Sequence, residues 1–254
     1  MKLYSQKLGI GEPLIILHGL FGSSDNWLTI GKQLANHFTV YLIDLRNHGK
    51  SPHTNQFGYD NMALDVREFI QDHNLKSTIL IGHSMGGKVA MKMALEYPMR
   101  INKLIVADIA PRKYDIIHEH IIEALLSIKV DELTNRKQAD LLLAKTIENA
   151  ILRKFLLKNL YRDNNSRFKW KINLKAICNY LDQLGDQIFS NNQFDQETLF
   201  IKGELSNYII PSDKNEISSL FPKSEIKIVP NATHWLHAEQ PEIFLKYISE
   251  FLRS

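Results

Sequence analysis

The sequence predicts an α/β protein in which a mostly parallel, doubly wound sheet carries a helical insertion. Three observations predict it. Short β-type runs alternate with helical periodicities along most of the 254 residues. Four of those runs are nearly continuously apolar, as strands covered by helices on both faces must be. One long stretch, from about Pro111 to Asp195, offers helical patterns and no convincing strand.

Taken in order, strands are read at Leu14–Leu17, Val40–Ile43, Thr78–Ile81, Leu104–Ala107, Leu199–Ile201 and Ile226–Val229. Helices are read at Tyr59–His73 and at Met85–Tyr97, the latter stopped by Pro98. Within the insertion they are read at Ile116–Ile128 and Gln138–Leu160. The last helix is the clearest, because Ile243, Phe244, Tyr247, Ile248, Phe251 and Leu252 recur on one face. The expected organisation is one core from residues 1–110 and 196–254, with 111–195 as a helical cap.

Composition narrows the function. A hydrophobic content of 44% supports a sizeable core. The 31 basic side chains nearly balance 28 acidic ones, so the net charge of +3 gives no basic stripe for nucleic acid. One cysteine, Cys178, rules out an intrachain disulfide framework and an all-cysteine metal site. The apolar run Leu14–Leu17 is too short for a signal-peptide core or a membrane span. A cytoplasmic protein, monomeric or homodimeric and without integral membrane association, is expected.

Gly82-His83-Ser84-Met85-Gly86 lies directly between a strand and a helix. A nucleophile on such a sharp turn has crowded neighbours, and glycines two before and two after relieve the clash. The turn lifts the Ser84 hydroxyl above the carboxyl edge of the sheet and aims the first helix N–H groups at the reacting centre. The same residues, extended through Gly87-Lys88, also open a phosphate-binding loop. That motif needs Ser or Thr next as a magnesium ligand, and the chain has Val89.

A second segment, His18-Gly19-Leu20-Phe21-Gly22-Ser23, leaves an apolar strand and runs into a helix near Trp27. Acyl transfer builds negative charge on a carbonyl oxygen, and the backbone N–H groups of Leu20 and Met85 are the candidate donors to it. His234, after the last strand and before the last helix, is the candidate base. His18, His83 and Trp235 are expected as structural or pocket-lining neighbours. His118 and His120 flank Glu119, but alternate residues on a helix diverge, so no metal site is expected there. The remaining histidines carry no comparable argument. For the acid, Asp108 ends the strand after the nucleophile, with Glu204 as its rival. Ser206 stands where the penultimate strand's loop would often carry an aspartate, and is expected to support the acid.

At these residues the chain resembles the YbfF-type esterases of the α/β-hydrolase superfamily, related to the abhydrolase-domain-11 type. The resemblance rests on His18–Ser23, Asp44-Leu45-Arg46-Asn47-His48-Gly49-Lys50-Ser51, Gly82–Lys88, Asp108-Ile109-Ala110-Pro111 and His234-Trp235-Leu236-His237-Ala238-Glu239, in that order. Thr233 departs from it, since glycine is common there. The resemblance implies the α/β-hydrolase fold, a short-chain acyl esterase or thioesterase with acyl-CoA among possible ligands, and an acid at Asp108 joined by Ser206.

The expected reaction is cleavage of a small acyl ester or acyl-CoA thioester through an acyl-enzyme, with no cofactor. Perhydrolase or carbon–carbon bond hydrolysis on the same triad, or a non-catalytic ligand-binding scaffold, are the alternatives. Between Arg153 and Lys175 the insertion carries Arg153, Lys154, Lys158, Arg162, Arg167, Lys169, Lys171 and Lys175 against Asp163 alone. Such a face can attract an anionic substrate or simply be solvated. Phe155, Leu156, Phe168 and Trp170 are candidates to line an acyl pocket or to pack in the core.

Overall fold

The computed structural model describes residues 1–115 and 119–253. Its strands are β1 (Ser5–Leu8), β2 (Glu12–Leu17), β3 (Phe38–Ile43), β4 (Thr78–His83), β5 (Ile101–Ala107), β6 (Leu160–Arg162), β7 (Phe168–Trp170), β8 (Thr198–Gly203) and β9 (Ser224–Val229). The helices of the first half are α1 (Leu28–Leu34), α2 (Tyr59–Asp72), α3 (Met85–Glu96), α4 (Glu119–Leu126), α5 (Arg136–Leu143) and α6 (Ala150–Leu157). The second half adds α7 (Leu174–Asn179), α8 (Leu181–Leu184), α9 (Asp213–Leu220), α10 (Leu236–Glu239) and α11 (Pro241–Arg253).

Seven strands form one sheet in the order β1-β3-β2-β4-β5-β8-β9, parallel except for β1, which pairs antiparallel with β3. The period of two along each strand feeds two cores. Ile15, Leu17, Leu80 and Val106 pack with α2 and α3 on one face. Leu14, Ile16, Ile79, Ile81 and Ile105 pack with Trp27, Phe244 and Ile248 on the other. Both faces are covered, so the inner strands read as apolar runs rather than alternating ones.

All six predicted strands are present. The edge strand β1 has no apolar alternation and left no signal. The insertion departs from expectation in two ways. It contains the antiparallel hairpin β6–β7 where only helix was read. The helix read over Gln138–Leu160 is two helices, α5 and α6, the second capped by the Asn149 side chain, which accepts from the N–H groups of Ile151 and Leu152. The helix read from Ile116 begins in the described residues at Glu119; Ile116, Ile117 and His118 lie outside them.

One buried cation fastens the insertion to the core. Lys88 on α3 is almost inaccessible, and its ammonium donates to the carbonyls of Arg112, Gly185 and Asp186, with the rings of Tyr59 and Tyr114 beside it. This explains the lysine of the phosphate-loop-like motif: its side chain grips the two ends of the insertion rather than a phosphate cradle.

Candidate active site

The carboxyl edge of the sheet gathers the residues singled out above. Ser84 sits between β4 and α3 with φ 52° and ψ −120°, a conformation that L-residues adopt only where the surroundings enforce it. The sequence permits the turn because Gly86 packs flush on β2: a Cβ there would stand 2.5 Å from the Leu17 carbonyl oxygen and 2.6 Å from that of His18. The Ser84 N–H donates to the Ala107 carbonyl at 3.0 Å, which ties the turn to the neighbouring strand.

Asp108, one residue past β5, is fully buried and also has a positive φ, 50°. Its Oδ1 accepts from the Gly203 N–H at 2.9 Å. Its Oδ2 accepts from the Ser206 hydroxyl and from His234 Nδ1, the latter at 2.7 Å. Because this Asp108 oxygen accepts, the proton of His234 is fixed on Nδ1, which leaves Nε2 to accept. Tyr208, not singled out in the sequence, stacks on the His234 ring at 3.9 Å and 20°. The loop before His234 is pinned by Glu239, which accepts from the N–H and hydroxyl of Thr233 at 2.7 Å each. Glu204, the rival acid, instead accepts from the exposed Asn231 N–H and makes no bond to His234.

Leu20 and Met85 are adjacent to Ser84 in the cleft wall, and neither N–H donates to a protein acceptor among the described residues. Two buried histidines brace the loop carrying Leu20. His18 Nδ1–H donates to the Gly19 carbonyl at 2.8 Å while Nε2 accepts from the Leu45 N–H at 3.0 Å. His48 Nδ1–H donates to the Arg46 carbonyl at 3.0 Å while Nε2 accepts from the Phe21 N–H at 3.3 Å. Burial pushes His18 down to about 4 and His48 to about 3, the latter also repelled by His18, so both are neutral struts. From the insertion, Asn159 Nδ2 donates to the Phe21 carbonyl at 2.8 Å. His83 likewise is structural: its Nε2–H donates to the His234 carbonyl at 2.9 Å, and burial holds its pKa well below the ordinary value.

Two cavities meet at Ser84. A cleft of about 840 Å³ runs between the core loops and the insertion, past Met85, Arg112, Leu152, Ser206, Tyr208 and His234. A smaller cavity of about 70 Å³ extends beneath the His18–Gly22 loop and is walled by Trp27, Phe155, Trp235 and His237 among others. Phe155 meets Trp235 edge to face at 4.3 Å, as a pocket residue should. Phe168 and Trp170 do not line either cavity. They lie on β7, where Phe168 is buried in the core under the Arg162 guanidinium and Trp170 packs against that core.

Four basic residues of the Arg153–Lys175 stretch are paired with acidic side chains. Arg153 pairs with Asp140, Arg167 and Lys169 with Asp163, and Lys171 with Asp25. Among the described residues no cluster of metal-ligating side chains occurs, and no helix is long and apolar enough to cross a membrane.

Comparison with known proteins identifies the family. Residues 12–144 match the family described as alpha/beta hydrolase fold. The chain is 40% identical to the sn-1-specific diacylglycerol lipase ABHD11 of Danio rerio, over 96% of this chain and 80% of that protein. It is 30% identical to esterase YbfF of Escherichia coli, over 95% and 93%. A solved marine microorganism esterase superposes with a TM-score of 0.96 at 46% identity, covering 98% of this chain and 99% of that one. The chain belongs to the α/β-hydrolase family, in the branch that includes the YbfF and ABHD11 proteins.

Proposed function

We propose that the chain is a serine esterase whose nucleophile is Ser84, whose base is His234 and whose orienting acid is Asp108. The relatives named esterase and lipase support ester hydrolysis as the reaction class. The observation that carries the residue roles is the sealed Asp108 carboxylate on His234 Nδ1, at the same sheet edge as the strained Ser84 turn.

In this reading Ser84 Oγ attacks the ester carbonyl as His234 Nε2 takes its proton. The Leu20 and Met85 N–H groups stabilise the oxyanion, and His234 returns the proton to the leaving alcohol as the C–O bond breaks. His234 then activates water, which releases the acid and restores Ser84. Ser206 and Gly203 hold the Asp108 carboxylate; His18 and His48 hold the oxyanion loop. Residues 111–195 act as the cap over a core of 1–110 and 196–254.

The substrate of this reading is a neutral carboxylic ester rather than a CoA thioester. Arg112, a cation on the cleft wall, already pairs with Asp213 at 3.1 Å, and Arg153, Arg167, Lys169 and Lys171 are paired with acidic side chains. The test is hydrolysis of p-nitrophenyl acetate, butyrate and octanoate, with acetyl- and butyryl-CoA alongside. Ser84→Ala should lose at least about 10³-fold in kcat with its melting temperature intact. Full activity in Ser84→Ala would end the proposal.

A further inference from the structure

We propose that the small cavity beneath the His18–Gly22 loop is the acyl subsite, and that it selects a short acyl group bearing a hydroxyl or oxo oxygen that hydrogen-bonds His237. This rests on the acyl-enzyme reading above and names its substrate class.

The placement follows from the order of product release. The leaving alcohol departs while the acyl group is still attached to Ser84, so the alcohol must occupy the space with the open route. The larger cleft has that route: its rim residues Ile151 and Leu205 are 76% and 63% exposed. The smaller cavity has Trp27, His83, Phe21 and His237, all nearly inaccessible, among its walls. The group that stays behind belongs there.

Size sets the chain length. On a measure where one water needs about 10–15 Å³, a cavity of about 70 Å³ holds roughly five water-sized groups. That accommodates an acyl chain of about four carbons with one oxygen substituent. An octanoyl chain exceeds that volume, and Phe155, Ile121 and Leu152 are among the walls it would meet.

Polarity sets the substituent. The cavity is mainly apolar, yet it contains a histidine whose ring nitrogens make no hydrogen bond to the protein among the described residues. His237 is 95% buried, since only 5% of its surface is accessible. Its Nδ1 is sealed by the fold, out of a ligand's reach, whereas Nε2 is not sealed and has no protein partner among the described residues. The ring is held flat on Trp27, centroids 4.3 Å apart and planes 9° apart, so it is oriented without being satisfied. Burial, with help from His234 and Lys158, pushes its pKa down to about 3 and keeps it neutral, with one donor and one acceptor. Asn26, partly exposed, adds a second polar group to the wall, its Oδ1 accepting from the Ser23 N–H at 2.8 Å. A site whose buried polar groups stay unpaired discriminates against a ligand that cannot pair them. A plain alkyl chain leaves His237 Nε2 unpaired; a hydroxyl or ketone oxygen pairs it.

The experiment compares p-nitrophenyl butyrate, 3-hydroxybutyrate and octanoate in wild type, His237→Phe and Phe155→Ala, with the acylation of Ser84 followed by mass spectrometry. Wild type should prefer the 3-hydroxy ester over butyrate by about tenfold or more in kcat/KM. His237→Phe, which keeps the stack on Trp27, should bring that ratio close to one. Phe155→Ala should raise the octanoate-to-butyrate ratio. A wild-type ratio near one overturns the inference even where a variant does not fold, as does an unchanged ratio in folded His237→Phe. If no ester acylates Ser84, the proposed function fails first and the inference with it.

Discussion

Replacing Asp108 by Asn changes one atom, and the hydrogen-bond pattern around that atom sets the consequence. Asp108 Oδ1 accepts from the Gly203 N–H, so an asparagine keeps its oxygen there to avoid opposing one donor with another. Its amide nitrogen then stands where Oδ2 stood, facing the Ser206 hydroxyl and His234 Nδ1. Ser206 can rotate its hydroxyl and accept. His234 can accept only by moving its proton from Nδ1 to Nε2, and the nitrogen needed to deprotonate Ser84 is then already protonated. The expected loss is about 10³–10⁴-fold in kcat, the scale seen when a triad histidine is held in the wrong tautomer. The fold should survive, because asparagine tolerates the positive φ of 50° at this position. Steady-state p-nitrophenyl butyrate hydrolysis, with thermal melting as the control, reads both. Asp108→Asn retaining a tenth of wild-type kcat, with Glu204→Gln inactive, would refute the assignment.

Other outcomes follow from the same geometry. His18, His48 and His237 are neutral in the folded protein, with pKa values lowered from 6.5 to about 4, 3 and 3. Below 6.5 the unfolded chain takes up protons that the folded one refuses, so stability is lost as the pH falls toward those values. The slope approaches about 1.4 kcal/mol per pH unit for each histidine. Melting temperatures measured from pH 7 to pH 4.5 should therefore fall steeply, and a flat profile would contradict the buried neutral rings. Lys88→Met removes the donor shared by three carbonyls. A loss of about 2–3 kcal/mol, or roughly 5–10 °C in melting temperature, is expected; calorimetry showing no change would mean the clamp contributes nothing. Tyr208→Leu removes the ring stacked on His234 and should lower kcat about tenfold with little change in KM. Tyr208→Phe should restore most of it.

The sheet was legible in the sequence because each inner strand is an apolar run read locally. The Ser84 turn was legible for the same reason, as its glycines lie within five residues. What escaped depends on contacts between distant segments. His48 lies in the Asp44–Ser51 block, which does not disclose its role; its work is to accept from Phe21, 27 residues away. His237 looked like any histidine near the last helix until Trp27 was seen stacked on it. The β6–β7 hairpin is two three-residue strands in a basic segment, too short for periodicity to declare. Phe168 and Trp170 went with it, since side chains on a hairpin face differently from those on a helix. Tyr208 left one faint sign, an aromatic two residues beyond Ser206 in the acid-side loop.

The most direct test is to quench p-nitrophenyl butyrate turnover with acid and map the modified peptide by mass spectrometry. The account predicts a butyryl group on Ser84, absent in Ser84→Ala and formed far more slowly in Asp108→Asn. Rapid ester hydrolysis with the adduct on another residue, or undiminished in Ser84→Ala, would contradict it.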